Sequence, residues 1–260
     1  MEEMRQITLE EWMSWKEDIR EKLRETAGNF VYIGYRLKQI RDSGMYGGAS
    51  DIFEFAQNEY GLGKSTVSRF IAINEKFSEG GNSLELKAEY RDIGSSKLSE
   101  MLTLTDSECR LITERTTVKE IRELKNFGRQ QAPGEETGGG LTPLGKCIVE
   151  YFRDKKQELN KAVAAFYGNE IKDAAEIINP GGYRTFQKGL VFLFMYDFQN
   201  GVKYKTFGSQ EIAEMPWEEF LMEVSGIFGA AYEQGEKDVY GAFYGEPEKA
   251  EEIQETQGLE

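Results

Sequence analysis

Between Gly61 and Phe77 the chain reads GLGKSTVSRFIAINEKF. Lys64, Ser65, Ser68 and Arg69, with Thr66 at the edge, are spaced to share one face of a helix, whereas Val67, Phe70, Ile71 and Phe77 are spaced to share the packed face. Hydroxyls, an ammonium and a guanidinium in that arrangement suit contacts to phosphate oxygens and base edges. No Asp or Glu occurs from residue 60 to residue 74, although the chain holds 46 acidic against 32 basic side chains and a net charge of -14. A uniformly acidic surface repels phosphate. The acid-free window therefore marks the stretch as different from its surroundings.

A helix that lies in a DNA groove needs a preceding helix, a tight turn and an apolar plug. Ser50 is placed to cap a helix over Asp51 to Tyr60, with Ile52, Phe53, Ala56 and Tyr60 facing inward. Gly61 then ends that helix, Leu62 supplies the plug, and Gly63 stands at the cap of the next. The spacing predicts a helix-turn-helix over residues 51–77. A plainer alternative leaves the same Ser, Thr and Lys side chains as the solvated face of a bundle helix.

The rest of the first half reads as short helices around this motif. Thr8 and Glu11 have capping-box spacing, Trp12, Trp15, Ile19 and Leu23 follow at helical intervals, and Gly28 is expected to separate a second helix with Phe30, Ile33, Leu37 and Ile40 inward. Residues 97–104, 105–112 and 117–127 read as three further helices, the last two opened by Thr105/Glu108 and Thr117/Glu120. Helices this short are stable only when packed, so residues 1–128 are expected to form a mainly α domain.

RQQAPGEETGGG, residues 129–140, has no large apolar side chain and reads as a flexible linker. Beyond it, Thr142-Pro143 opens a helix expected to run to about Phe166. GLVFLFMYDF and VKYKTFG read as a β-hairpin around Asn200-Gly201, and Pro216 starts a helix with Trp217, Phe220, Leu221, Val224 and Phe228 on one side. Residues 141–245 are thus expected to be an α+β interaction or effector domain. Phe192, Phe194, Tyr196, Phe198 and Tyr204 alternate as core residues of a strand do, and Lys203 and Lys205 share a face that could guard an edge strand. Residues 211–260 hold 14 acidic and 2 basic side chains, and 246–260 read as a disordered acidic tail.

GLGKSTVSRFIAI is similar to the G-L-S-x-S-T-V/A-S/Y-R segment of the helix-turn-helix in ParB- and KorB-type partition and repressor proteins of phages, plasmids and conjugative elements. KLSEMLTLTDSECRLITERTTVKEIRELK (97–125) resembles the ParB region that braces that motif. The resemblance spans about residues 28–127 and departs at Gln57, where a small residue is usual, and at Gly63, where Ser is usual. It implies a DNA-reading role for Lys64, Ser65, Thr66, Ser68 and Arg69. The arginine-rich nucleotide box of ParB has no counterpart, so CTP hydrolysis is not implied.

Other chemistries find little footing. With no His and with Cys109 and Cys147 far apart, the common zinc sets and His-based nucleophile activation are missing, and neither a metal nor a cofactor is expected. GLGKST lacks the first glycine of a phosphate-binding loop, Asn58 standing in its place. An enzyme is not expected. The amino terminus lacks the apolar core of a secretion signal, and LVFLFMY is too short to span a bilayer, so a cytoplasmic protein is expected. The expected partners are double-stranded DNA and, through the second domain, a second copy or another protein. The sequence points to a sequence-specific DNA-binding protein of a mobile genetic element, in transcriptional regulation, replication or partition. The rival reading is a phage or mobile-element inhibitor of host defence, anti-CRISPR or anti-restriction, with an autoregulatory helix-turn-helix.

Overall fold

The chain divides into two compact units, residues 1–126 and 127–260, and the computed structural model describes residues 9–127 and 140–245. The expected linker up to residue 139, the expected tail 246–260 and Thr8 of the expected capping box lie outside the described residues. The first unit is built of helices, apart from an isolated bridge between Ser78 and Leu86. They are α1 (Leu9–Ser43), α2 (Ile52–Tyr60), α3 (Lys64–Phe77), α4 (Ser95–Met101), α5 (Asp106–Cys109) and α6 (Val118–Phe127).

α1 runs unbroken for 35 residues, so Gly28 does not end a helix. A helical glycine costs only about 1 kcal/mol relative to Ala, and the turn around it is held by Ala27 and Val31, both fully buried. The inward face also differs from the expected one. Leu37 is buried, and Phe30 and Ile40 pack at its margin, but Ile33 is exposed. Gly34 and Lys38 take the centre instead. Lys38 Nζ donates to the Gly81 carbonyl (2.9 Å) and to Asn74 Oδ1 (3.3 Å), and Asn74 Nδ2 donates to the carbonyls of Val31 (3.0 Å) and Ser83 (2.7 Å). A buried polar group is tolerable when its hydrogen bonds are made in this way.

The bracing helices start where their boxes predict. Thr105 Oγ1 accepts from the Glu108 amide while Glu108 returns to Thr105, and Thr117 and Glu120 repeat the exchange. At the end of α4 the carbonyls of Met101, Leu102 and Leu104 all accept from Lys76 Nζ, which ties α3 to that turn.

The second unit combines α7 (Pro143–Phe152), α8 (Lys156–Tyr167) and α9 (Ile171–Ile178) with a four-stranded antiparallel meander and with α10 (Trp217–Glu233) and α11 (Val239–Tyr244). The strands β1 (Tyr183–Lys188), β2 (Val191–Tyr196), β3 (Val202–Thr206) and β4 (Ile212–Met215) lie in sequence order. Thr142 and Pro143 open α7 as its cap and first residue. The helix then stops short of Phe166, because Lys155 is non-helical (φ -124, ψ 50). Arg153 to Lys156 offer nothing apolar to bury, and Lys155 Nζ satisfies the Tyr151 carbonyl (2.7 Å) of the last turn.

Val191, Leu193 and Met195 of β2 join Leu144, Ile148, Phe152, Leu159, Val163, Trp217, Phe220 and Val224 in one core. Of the aromatic residues expected inside, Phe192, Phe194 and Tyr196 are buried, Tyr204 is partly so and Phe198 is exposed. Phe198 sits in the hairpin loop, which spans Asp197–Gly201 and so takes Asp197 and Phe198 out of the expected strand. Asp197 Oδ1 holds the Gln199 and Asn200 amides (3.1 Å each), and Gly201 takes the left-handed position (φ 67). β3 is no edge strand, since β4 pairs beyond it. Lys203 accordingly meets Glu214 across the ladder (3.1 Å), and Lys205 is buried.

Candidate nucleic-acid interface

α2 is capped by Asp51, not Ser50. The Asp51 carboxylate accepts from the amides of Phe53 (2.8 Å) and Glu54 (2.9 Å), a shorter reach than Ser50 has. Ser50 instead donates its hydroxyl (2.6 Å) and amide (2.7 Å) to Glu54 Oε2, which holds that carboxyl below its ordinary range. Ile52 and Ala56 face inward, Phe53 is half-buried, and Tyr60 is exposed because it occupies the last turn beside the reversal. Gln57, at the position where the resemblance calls for a small residue, is exposed, and the fully buried small residue is Ala56 beside it.

The chain leaves α2 through a left-handed glycine. Gly61 has φ 68 and ψ 18, its amide returns to the Gln57 carbonyl (3.0 Å), and the Leu62 amide returns to Ala56 (3.1 Å). An L side chain in that conformation costs roughly 1–2 kcal/mol. Leu62 packs partly against the cluster of Leu37, Ile52, Ala56, Val67, Phe70 and Ile71. Gly63 then stands at the cap of α3 with φ -69 and ψ 156 and no side chain to bond the amides; only its carbonyl accepts, from Thr66 and Val67.

In α3 the packed face is Val67, Phe70, Ile71, Ile73, Asn74 and Phe77. Lys64, Ser65, Ser68 and Arg69 are exposed, and Thr66 is half-buried at their margin. These five sequence candidates are thus brought together on one stripe. Among the described residues, no side chain pairs with Ser65, Ser68 or Arg69. Lys64 is different: its ammonium lies 5.0 Å from the centre of the Phe53 ring, an attraction of about 0.5–1 kcal/mol at an exposed site. Glu75, the first acid after the window, is 3.8 Å from Arg41.

Such a stripe can present one guanidinium, one ammonium and three hydroxyls, that of Thr66 from its half-buried margin, to an anion or to hydrogen-bonding base edges. Sequence reasoning missed the hold of Phe53 on Lys64 and the anchoring of α3 by Asn74. Asn74 could have been noticed as a polar residue on the same helical stripe as Phe70 and Phe77.

Elsewhere, burial pushes the Cys109 thiol up to about 11 and Cys147 up to about 12, so both stay protonated at neutral pH. Among the described residues, no cluster of three or more His, Cys, Asp or Glu is placed to hold a metal ion, and no helix is long and apolar enough to cross a membrane. Comparisons with family models, with curated proteins and with solved structures find no match.

Proposed function

We propose that the chain is a cytoplasmic, sequence-specific DNA-binding protein of a mobile genetic element, acting in transcriptional regulation, replication or partition. α2 and α3 serve as its helix-turn-helix. The observation that carries this reading is the outer stripe of α3, where Lys64, Ser65, Ser68 and Arg69 are exposed within an acid-free window of a chain with net charge -14. Arg69 reaches the major-groove edge of guanine, and Lys64, at the start of α3, contacts phosphate. The second unit pairs the protein with a second copy or another protein, as two half-sites on duplex DNA require.

The test is an anisotropy titration of the full chain against a pool of duplex fragments from its native locus. Saturable binding that weakens linearly on a log–log plot as salt rises is the expected result. Absence of binding to every fragment at low salt overturns the reading.

A further inference from the structure

A second basic feature lies in the first unit, away from the outer stripe of α3. A groove of about 550 Å³ is walled by the start of α4, by α1 and by the segment before α6, and it brings Arg24, Arg91, Lys97 and Arg115 together against two carboxylates, Asp92 and Glu114. Asp92 is already taken, since Arg24 Nε donates to its Oδ1 at 2.7 Å. Lys97 is half-buried. Its ammonium donates to the backbone carbonyl of Glu114 at 2.6 Å and, among the described residues, has no carboxylate within ion-pairing distance. Burial pulls its pKa below the ordinary lysine value, against the opposing attraction of the Glu114 and Glu120 carboxylates. Arg91 is exposed on the same wall, and among the described residues nothing pairs with its guanidinium.

A half-buried ammonium with no carboxylate in direct contact is costly, the attraction of Glu114 and Glu120 offsetting burial only in part, and an anion entering the groove would relieve the remainder. The available donors are one ammonium, one guanidinium fork and the hydroxyls of Ser95 and Ser96. That set matches a tetrahedral oxyanion with several acceptor oxygens better than a planar carboxylate. We infer that this groove binds a phosphate group, as a monoester or diester, held by Arg91 and Lys97. The phosphate belongs either to a free phosphorylated small molecule or to the backbone of a nucleic acid. The inference stands independently of what α3 contacts.

In the test, the full chain is titrated with sodium phosphate, a nucleoside monophosphate and the corresponding nucleoside, each against sodium chloride at matched ionic strength. NMR follows the amides of Gly94 to Lys97. Saturable shifts with the two phosphates but not with the nucleoside, weakened roughly tenfold by Arg91→Gln, are the expected result for a small-molecule ligand. A parallel titration uses a mixed-sequence duplex with the parent, Arg91→Gln and Lys97→Gln. A salt slope reduced by about one in each variant, without saturation by free phosphate, assigns the groove to duplex backbone. Arg91→Gln removes an exposed side chain with no structural bond, so it reports even if Lys97→Gln fails to fold. The inference is overturned if neither phosphate saturates and the slope is unchanged, or if Arg91→Gln binds both as the parent does. Shifts in the groove that persist in Lys64→Ala and Arg69→Ala separate this site from α3.

Discussion

Gly34 of α1 and Phe70 of α3 meet backbone to backbone: a Cβ built on Gly34 would stand 2.1 Å from the Phe70 carbonyl oxygen and 2.7 Å from its carbon. The Phe30 and Phe70 rings close over the same crossing edge-on, with centres 4.8 Å apart. The tilt of α3, and hence the direction its outer stripe faces, is set by an approach that only glycine permits.

Gly34→Ala should therefore destabilise the first unit by about 1–3 kcal/mol, as overpacking against backbone does, despite the better helix propensity of Ala. Gly28→Ala, in the same helix with nothing within 4 Å of the added atom, should stabilise by up to about 1 kcal/mol. Thermal unfolding of the two variants reads the opposite signs. Equal gains would mean that α1 and α3 do not cross so closely.

The two turn glycines should also part company. Gly63→Ser has open space and the extended backbone of a cap, so it should stabilise by a few tenths of a kcal/mol by bonding a free amide. Gly61→Ala must hold a left-handed φ of 68 and should lose roughly 1–2 kcal/mol. Urea midpoints compared at unchanged m-value give both differences.

On duplex DNA, Arg69→Ala should cost about 1–3 kcal/mol at the specific site and leave nonspecific binding intact, whereas Lys64→Ala should weaken all sequences alike and lower the salt slope by about one. Paired titrations of specific and scrambled duplexes distinguish the two. Val67→Asp places a charge where the side chain is fully buried, so circular dichroism should show loss of helix before binding is measured. If both surface variants bind both duplexes as the parent does, α3 does not face DNA.

Acid should loosen the end of the second unit. Asp238 caps α11, and its carboxylate meets Lys156 Nζ (2.5 Å), Asn160 Nδ2 (2.8 Å) and the Gly241 amide (3.0 Å). These partners, Lys156 first, pull its pKa down to about 2. Because the folded pKa lies below the unfolded one, the contribution is present above about pH 4 and is lost as pH falls toward 2. Denaturant unfolding between those values should show a shallower pH slope in Asp238→Asn than in the parent. Identical slopes would remove Asp238 from the account.

The reversal between α2 and α3 was legible because it rests on local rules: a glycine where φ is positive, and Val67, Phe70 and Ile71 at helical intervals. What the sequence hid depends on partners distant in the chain. Gly28 looks like a break until Ala27 and Val31 are seen to be buried, and Lys38 looks like a surface residue until Asn74 and Gly81 are found beside it. β1 and β4 carry too little alternation to be read alone; the all-buried β2 between helices and strands makes sense of them. Arg91, Lys97 and Arg115 become neighbours only through the packing of α4 and the segment before α6.

α3 is fastened unevenly. Its far half is bound by Asn74 and by Lys76, while its first turn begins at a glycine with no side-chain cap and holds no acid to favour the free amides. Local opening should therefore start at Lys64 and stop near Phe70, so hydrogen exchange of the first-turn amides should proceed by fraying and that of Ile73 and Asn74 only by larger unfolding. A ligand that docks on this stripe would have to order that turn. Its association would carry an unfavourable entropy that a better-capped helix escapes.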